Sequence, residues 1–296
     1  RKLYGYTTSR ECIYDICKRI LDITEDDEKR FKISNITEEL PDEFIRKMRL
    51  TGIISVRGMG RFIDINSLEK EKVEYILENY VGQKDFSSEI EYFDYMKTID
   101  SELLNPARVV TPSKTEEYRL FMNWVNAFEL SDLCSELMIL TQSKLKSNHD
   151  LLKYINEPLR LEFLTALALQ KKYPNIVVNP NYSIDDEGVP TSFAAGGTPD
   201  IVCKDDKGNV LFEVTMIVGT QQCVREMNAI TRHLEDCVII ERDSFSVILA
   251  PRIHEDTIRF AKFVKFDKNL DIIPLDILNF VNSLSVNTDI RQYRGE

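Results

Sequence analysis

The sequence predicts an N-terminal winged helix followed by a mixed α/β sheet flanked by helices. Helix patterns and then a hairpin pattern occupy residues 1–80, and helix and strand patterns alternate after Pro174. The composition, 43% hydrophobic and 29% charged over 296 residues, is ordinary for a globular chain and long enough for two domains. No run of eighteen apolar residues occurs, so we expect no membrane-spanning segment.

The first part carries the elements of a winged helix in order. Its helices are bounded by capping residues, prolines and a glycine, and its wing by a Gly-Met-Gly turn between apolar runs. The predicted elements are a helix over 7–21, a helix over 41–52, two strands within 53–66 and a helix over 66–80. We therefore expect a winged-helix domain at 1–80, followed by a connecting segment at 81–114.

The remainder, residues 115–296, shows the pattern of one larger α/β domain. Amphipathic periodicity predicts its first three helices, and a compact turn at 205–208 predicts a hairpin. In order, we expect helices over 115–129, 131–147 and 150–173, a strand in 175–184, a loop over 185–197, hairpin strands in 199–205 and 209–216, a helix over 220–237, and then strand, helix, strand and helix to about 284. This order predicts a mixed sheet with helices on both faces.

The net charge of −11 disfavours a protein that wraps nucleic acid over its whole surface, because phosphate contacts require Lys and Arg. The charge is uneven, since residues 42–62 hold five basic and two acidic side chains. We interpret four of these basic residues as phosphate contacts in the winged helix: Arg46, Lys47, Arg57 and Arg61. The alternative is that the winged helix serves as a spacer or a protein contact.

Cysteine and histidine do not form a metal-binding pattern. The six cysteines include no C-x-x-C pair, and His149, His233 and His254 stand alone in the sequence, whereas zinc sites need clustered ligands. Reduced thiols in a cytoplasmic protein are the expectation.

Two carboxylates on the predicted hairpin form the leading candidate site. Asp200 begins one strand, and Glu213 interrupts the apolar run of the next. An unpaired buried charge is costly, whereas a divalent cation such as Mg²⁺ accepts carboxylate oxygens and the neighbouring carbonyl of Val214. The alternative is a structural role, in which Asp200 caps a strand and Glu213 pairs with a basic side chain.

Two further carboxylates lie on helices beside this hairpin. Glu162 sits among apolar residues in the helix before the sheet, and the alternative to a site role is a pair with Arg160. Glu226 follows Gln222 by four residues on the next helix, so the two share a face. A solvated surface is the plainer interpretation of that face.

These residues resemble the PD-(D/E)-x-K nuclease superfamily. The matching motif is Thr198-Pro199-Asp200, twelve residues, then Glu213-Val214-Thr215. The chain is more closely similar to AlwI-type restriction enzymes, and most of all to the nicking large subunits of heterodimeric type IIS endonucleases, the BstNBI kind. The resemblance implies catalytic roles for Glu162, Asp200, Glu213 and Glu226, a metal held by the first three with Val214, and one or two Mg²⁺ ions.

One position departs from the superfamily pattern. Thr215 stands where a lysine is usual, and a threonine cannot supply positive charge. Three substitutes are open: Glu226 brings a second metal, Arg225 supplies the charge, or Gln222 orients the water. The close family favours Glu226.

The resemblance implies a site-specific DNA nicking endonuclease that hydrolyses one strand of duplex DNA by a metal-activated water, leaving a 5′-phosphate and a 3′-hydroxyl. It also implies a separate small nuclease subunit for the second strand and an N-terminal recognition region outside this sequence. Two alternatives stay open: a repair or junction-resolving nuclease of the same superfamily, and a non-catalytic winged-helix DNA-binding regulator.

Overall fold

The computed structural model describes residues 39–58, 60, 62–80, 85–98, 114–142, 147 and 149–295, together with Asp15 and Arg19. Its helices and strands are numbered in chain order. The first part contains α1 (Leu40–Leu50), β1 (Ile54–Arg57), β2 (Phe62–Ile65), α2 (Lys70–Asn79) and α3 (Glu89–Met96). The second part contains α4 (Lys114–Ala127), α5 (Leu130–Ile139), α6 (Glu157–Lys172), β3 (Val177–Pro180), β4 (Ser183–Ile184), β5 (Pro190–Ser192), β6 (Ile201–Lys204), β7 (Asn209–Val214), α7 (Thr220–Ile240), β8 (Phe245–Ala250), α8 (Glu255–Lys268), β9 (Ile272–Asp276) and α9 (Ile277–Val286).

The first part contains the helix, hairpin and helix predicted over 41–80. β1 and β2 pair antiparallel, with Arg57 opposite Phe62. The helix predicted over 7–21 lies outside the described residues, apart from Asp15 and Arg19. The winged-helix assignment depends on that helix and stays a prediction, as do the domain limits at 80 and 114.

The second part is built on a five-stranded mixed sheet in the order β3-β6-β7-β8-β9. β6 pairs antiparallel with both β3 and β7, whereas β7, β8 and β9 run parallel to one another. The helices between the parallel strands, α7 and α8, provide the crossovers that parallel pairing requires. The predicted mixed sheet flanked by helices is confirmed.

Side chains alternate between the two faces of this sheet, and each face is covered by helices. On β7, Val210 and Phe212 pack in a core shared with α4, α5, α6 and α9, whereas Leu211 packs in a second core with α7 and α8. Glu213 follows the alternation of Leu211, which directs it towards α7. The pleat of one strand thus decides which helix faces the candidate site.

Two elements differ from their predicted limits. The helix predicted from residue 150 begins at Glu157, because the Asn156 side chain accepts a hydrogen bond from the Leu159 N–H and Pro158 occupies its first turn. The loop predicted over 185–197 contains β5, which pairs with β4 around a turn where Gly188 has φ +76°. A Cβ at Gly188 would lie 2.8 Å from the Leu120 side chain, so this close approach requires glycine.

Within the described ranges, no helix has both the length and the apolar character that a membrane crossing would need.

Candidate active site

Asp200 and Glu213 lie at the same end of the paired strands β6 and β7. Ile201 is opposite Phe212, so Asp200 stands just before β6 beside the Glu213–Val214 segment. The backbone N–H of Val214 donates to Asp200 Oδ2 at 2.7 Å. This bond fixes one oxygen of the carboxylate against the neighbouring strand.

Glu213 is paired with a histidine that the sequence pattern did not single out. His233 Nδ1 lies 2.8 Å from Glu213 Oε1, and Glu213 is only 6% exposed. This hydrogen bond is the main reason that the pKa of His233 is raised. A buried carboxylate needs such a partner, and the contact occupies one of its two oxygens.

Glu226 also has a defined partner in the site. Its Oε1 accepts a hydrogen bond from Thr215 Oγ1 at 3.1 Å, and burial raises its pKa while this bond opposes the rise. Thr215 Oγ1 in turn accepts from the Ile217 N–H. The residue in the lysine position therefore holds Glu226 in place, and Glu226 is not the freely solvated side chain of the plainer interpretation.

Together these residues line a small cleft between the ends of β6 and β7 and the helix α7. The cleft has a volume of about 160 Å³. Ten residues form its lining: Thr198, Asp200, Glu213, Val214, Thr215, Glu226, Ala229, Ile230, His233 and Ile248. Four members of the predicted site, Asp200, Glu213, Val214 and Glu226, are thus brought together.

Glu162 lies behind this cleft rather than in its lining. It belongs to α6, is 4% exposed, and its Oε2 has no hydrogen-bond partner. Burial raises the pKa of Glu162 to about 9, and the charges of Asp200 and Glu213 add to the rise. Those two carboxylates are therefore close enough to repel a negative charge on Glu162.

The pKa of Asp200 shows the same crowding of like charges. Burial raises it to about 7, with a further contribution from Glu213, while the Val214 hydrogen bond and His233 act in the opposite direction. Carboxylates that raise one another's pKa are typical of functional sites. A cation among them would reverse the effect.

The donor set suits a hard divalent cation such as Mg²⁺, which prefers oxygen ligands. Asp200 and Glu213 each have one oxygen in a hydrogen bond with the protein, and Glu162 has a buried oxygen without a partner. Across the described ranges, no three Asp, Glu, His or Cys side chains already stand in a metal-holding arrangement. The fit therefore rests on the chemistry of the donors.

The two auxiliary candidates are placed differently. Gln222 is fully buried, and its amide donates to the carbonyls of Ile217 and Arg252 and accepts from the His254 N–H and the Thr257 hydroxyl. These four bonds join the loops around the start of α7, and Gln222 does not line the cleft. Arg225 is exposed, directly before Glu226.

Two of the residues predicted to contact DNA have partners within the protein itself. Arg57 is an ion-pair partner of Asp64, Asp186 and Glu187 at 3.1, 2.9 and 2.9 Å, and Arg46 donates to the Lys153 carbonyl. These contacts join the hairpin and α1 to the second part of the chain.

The other basic residues of this region differ in their surroundings. Lys47 is exposed, with Glu43 at 3.7 Å, and Arg61 lies outside the described residues. Arg49 is buried against Asp185 at 3.7 Å.

His233 is the residue that sequence reasoning missed. The sequence does contain a signal for it, because His233 follows Glu226 by seven residues, or two helical turns, and so shares its helix face. That signal becomes specific only when Glu213 is known to face the same helix.

A model of the AlwI restriction endonuclease family matches residues 123–283, more than half of the chain. The chain is also similar to the small subunit of the heterodimeric restriction endonuclease R.BspD6I, with 24% identity over 52% of this chain and 76% of that one and a TM-score of 0.43. No curated protein sequence matches. The matched range contains every residue of the candidate site, and the chain belongs to the AlwI restriction endonuclease family.

Proposed function

We propose that this chain is the cleavage part of a site-specific DNA nicking endonuclease that uses Mg²⁺. Membership of a restriction endonuclease family implies an endodeoxyribonuclease. The observation that carries the finer proposal is the meeting of Asp200, Glu213 and Glu226 in one cleft, with Glu162 buried behind it.

In this proposal Asp200, Glu213 and the Val214 carbonyl would hold one Mg²⁺, with Glu162 supplying a further oxygen. Glu226 would hold a second ion or a water. Bound Mg²⁺ lowers the pKa of a coordinated water and stabilises charge that develops on the phosphate. Hydrolysis would leave a 5′-phosphate and a 3′-hydroxyl.

The protein residues around these ligands would fix their geometry. The Val214 N–H orients Asp200, His233 orients Glu213, and the Thr215 hydroxyl orients Glu226. Such partners, one step removed from the metal, strongly affect metal affinity and activity. Thr215 thus takes the lysine position without positive charge, which favours the version with Glu226 as a ligand.

Nicking is supported by the single cleft of this kind among the described residues, because one such site cuts one strand. A separate small nuclease subunit would supply the second cut, as the sequence resemblance implies. Double-stranded DNA is the substrate, and recognition of its sequence would lie outside the part of the chain described here.

The test is cleavage of supercoiled plasmid by the full-length protein with Mg²⁺. Asp200→Ala is expected to lower the nicking rate at least a hundredfold. The change would remove a carboxylate ligand of the metal and also the hydrogen-bond acceptor of the Val214 N–H. Asp206→Ala is the matched control, since Asp206 is exposed in the turn of the same hairpin. Nicking that survives Asp200→Ala would show that the site is wrong.

The products of the same assay test the finer claims. Open-circular DNA is expected, nicked at one position that run-off sequencing maps to a fixed distance from a short sequence. Linear product from this chain alone would contradict nicking, and cuts governed by branched structure would favour a junction-resolving nuclease. Nicking that continues unchanged in the presence of a chelator would exclude a role for Mg²⁺.

A further inference from the structure

The exposed arginines of the second part of the chain fall into two groups. Some form ion pairs, such as Arg259 with Glu255 and Arg119 with Glu116. The others are exposed and form no ion pair with a described residue: Arg225, Arg232, Arg242 and Arg252. In a chain with a net charge of −11, an exposed arginine without a carboxylate partner is available for an external anion.

Two of these arginines lie on α7 beside the cleft. Arg225 and Arg232 directly precede Glu226 and His233, both of which line the cleft. One residue corresponds to a rotation of about 100° around a helix, so the two arginines lie on the face next to the cleft-lining face. The core-facing residues Met227 and Leu234 lie on the other side of the cleft-lining face.

The spacing of the two arginines matches the repeat of phosphates along one strand of DNA. They are seven residues apart, about 10.5 Å along the helix axis, close to the axial rise of three nucleotides in one strand of DNA. Between them lie exposed Asn228 and the small Ala229, which lines the cleft. No bulky side chain at these two positions separates the arginine face from the cleft.

The electrostatics of the cleft favour a basic border for a DNA substrate. Asp200, Glu213 and Glu226 line it, and their charges oppose the approach of phosphate. Guanidinium groups form bidentate bonds to phosphate oxygens. Building on the proposed function, we propose that Arg225 and Arg232 bind the backbone phosphates of the cut strand on either side of the scissile bond.

This role differs from a catalytic role for Arg225. Phosphate contacts fix the position of the DNA and add affinity that depends on salt. A charge that acts only on the transition state would instead change kcat. The two roles therefore predict different kinetic changes.

The test compares two charge-neutralised proteins in the full-length chain. Arg225→Gln with Arg232→Gln is the variant, and Arg242→Gln is the matched control, since Arg242 is exposed and unpaired among the described residues but lies just beyond the far end of α7. Binding to a duplex is measured in an Asp200→Asn background, so that the DNA is not cut, and KM and kcat are measured with Asp200 intact.

The double variant is expected to raise Kd and KM at least tenfold at 0.15 M salt, with kcat within about threefold of the parent. The slope of log Kd against log salt is expected to fall by about two, close to 0.9 for each lost contact. The control is expected to change neither. An unchanged slope of log Kd against log salt would overturn the proposal, whatever happens to Kd itself. A loss confined to kcat would also overturn it.

The outcome for this surface is separable from that for the active site. If the double variant loses affinity and slope while the parent protein fails to nick, the phosphate contacts stand and the proposed function fails. If the parent protein nicks DNA, and the double variant binds and cuts DNA as well as the parent does, only the proposed phosphate contacts are wrong.

Discussion

Glu213 has two oxygens, and the structure assigns them different surroundings. Oε1 is held by His233 Nδ1 at 2.8 Å, which leaves Oε2 for the cleft. A histidine that fixes a carboxylate in this way sets the direction in which the free oxygen points. His233 is therefore a positioning residue in the proposed reaction rather than a catalytic one.

At the residue scale, we predict that His233→Ala raises the Mg²⁺ concentration needed for half-maximal nicking by roughly tenfold or more. The physical reason is that Glu213 loses the bond that holds it and samples other rotamers. His233→Asn should restore much of the metal affinity, because its amide nitrogen can replace Nδ1.

The control for this prediction is His254→Ala. His254 also lies near a carboxylate, Asp256, at 3.4 Å, but it caps α8 and does not line the cleft. If both alanine variants shift the Mg²⁺ dependence equally, or if neither does, the positioning role is wrong.

At the scale of elements, the β1–β2 hairpin is attached to the sheet domain by charge and by close backbone contact. Arg57 joins Asp186 and Glu187 of the β4–β5 turn, and Ser55 Oγ donates to Asp186. These bonds lower the pKa of Asp186 against the opposing effect of burial. At the tip, a Cβ on Gly60 would lie 2.3 Å from the Asp150 carbonyl oxygen, so only glycine allows this contact.

We predict that Arg57→Ala and Asp186→Ala act on the same attachment. Each should loosen the hairpin, and a double-mutant cycle on unfolding free energy should give a coupling of about 0.5 to 3 kcal/mol. Amide hydrogen exchange should rise in β1 and β2 before it rises in the sheet.

Arg119→Ala is the control for the hairpin prediction, because exposed Arg119 pairs with Glu116 on its own helix and such a surface pair contributes little to stability. Additive effects of Arg57→Ala and Asp186→Ala, with unchanged exchange in the hairpin, would contradict the attachment. If Arg57→Ala abolished DNA binding while hydrogen exchange in the hairpin stayed unchanged, the result would favour the predicted contact between Arg57 and DNA phosphate.

At the scale of the whole molecule, buried carboxyls make stability depend on pH. Burial raises the pKa of Glu162 to about 9, of Asp200 to about 7 and of Asp185 to about 6. In each case the folded state keeps a proton that the unfolded chain has lost. The free energy of unfolding therefore falls as pH rises from about 4 towards these pKa values.

We predict that Glu162→Gln stabilises the metal-free protein at alkaline pH while it lowers nicking at least tenfold. The amide is neutral, so it avoids the growing cost of keeping the Glu162 carboxyl protonated. In a chelator, Tm at pH 8 should rise by a few degrees, and the gain should shrink towards pH 5.

Glu157→Gln serves as the control for this prediction, because Glu157 is exposed on the same helix. A gain of equal size at every pH would mean that packing, rather than ionisation, explains the effect. A loss of stability at pH 8 would mean that Glu162 forms a stabilising pair in the folded protein.

Local patterns predicted the sheet strands, the hairpin turn and the helix α7, because alternation and helical periodicity are properties of neighbouring residues. The start of α6 was misplaced by seven residues, because the apolar spacing before Asn156 belongs to a short 3-10 turn at Leu152–Tyr154. β5 was missed because a three-residue strand carries too little periodicity.

The sequence by itself determined the candidate carboxylates Asp200 and Glu213, since a charge inside an apolar strand and a matching motif are visible without coordinates. Glu162 and Glu226 entered the predicted site only through the family resemblance. The sequence also determined the mixed sheet, through the order of strand and helix patterns. Only the tertiary structure decided that His233 faces Glu213, that Thr215 holds Glu226, and that Arg57 is satisfied by Asp186 and Glu187. The reason is physical: periodicity fixes the face on which a side chain lies, but its partner comes from a distant segment that only packing brings within reach.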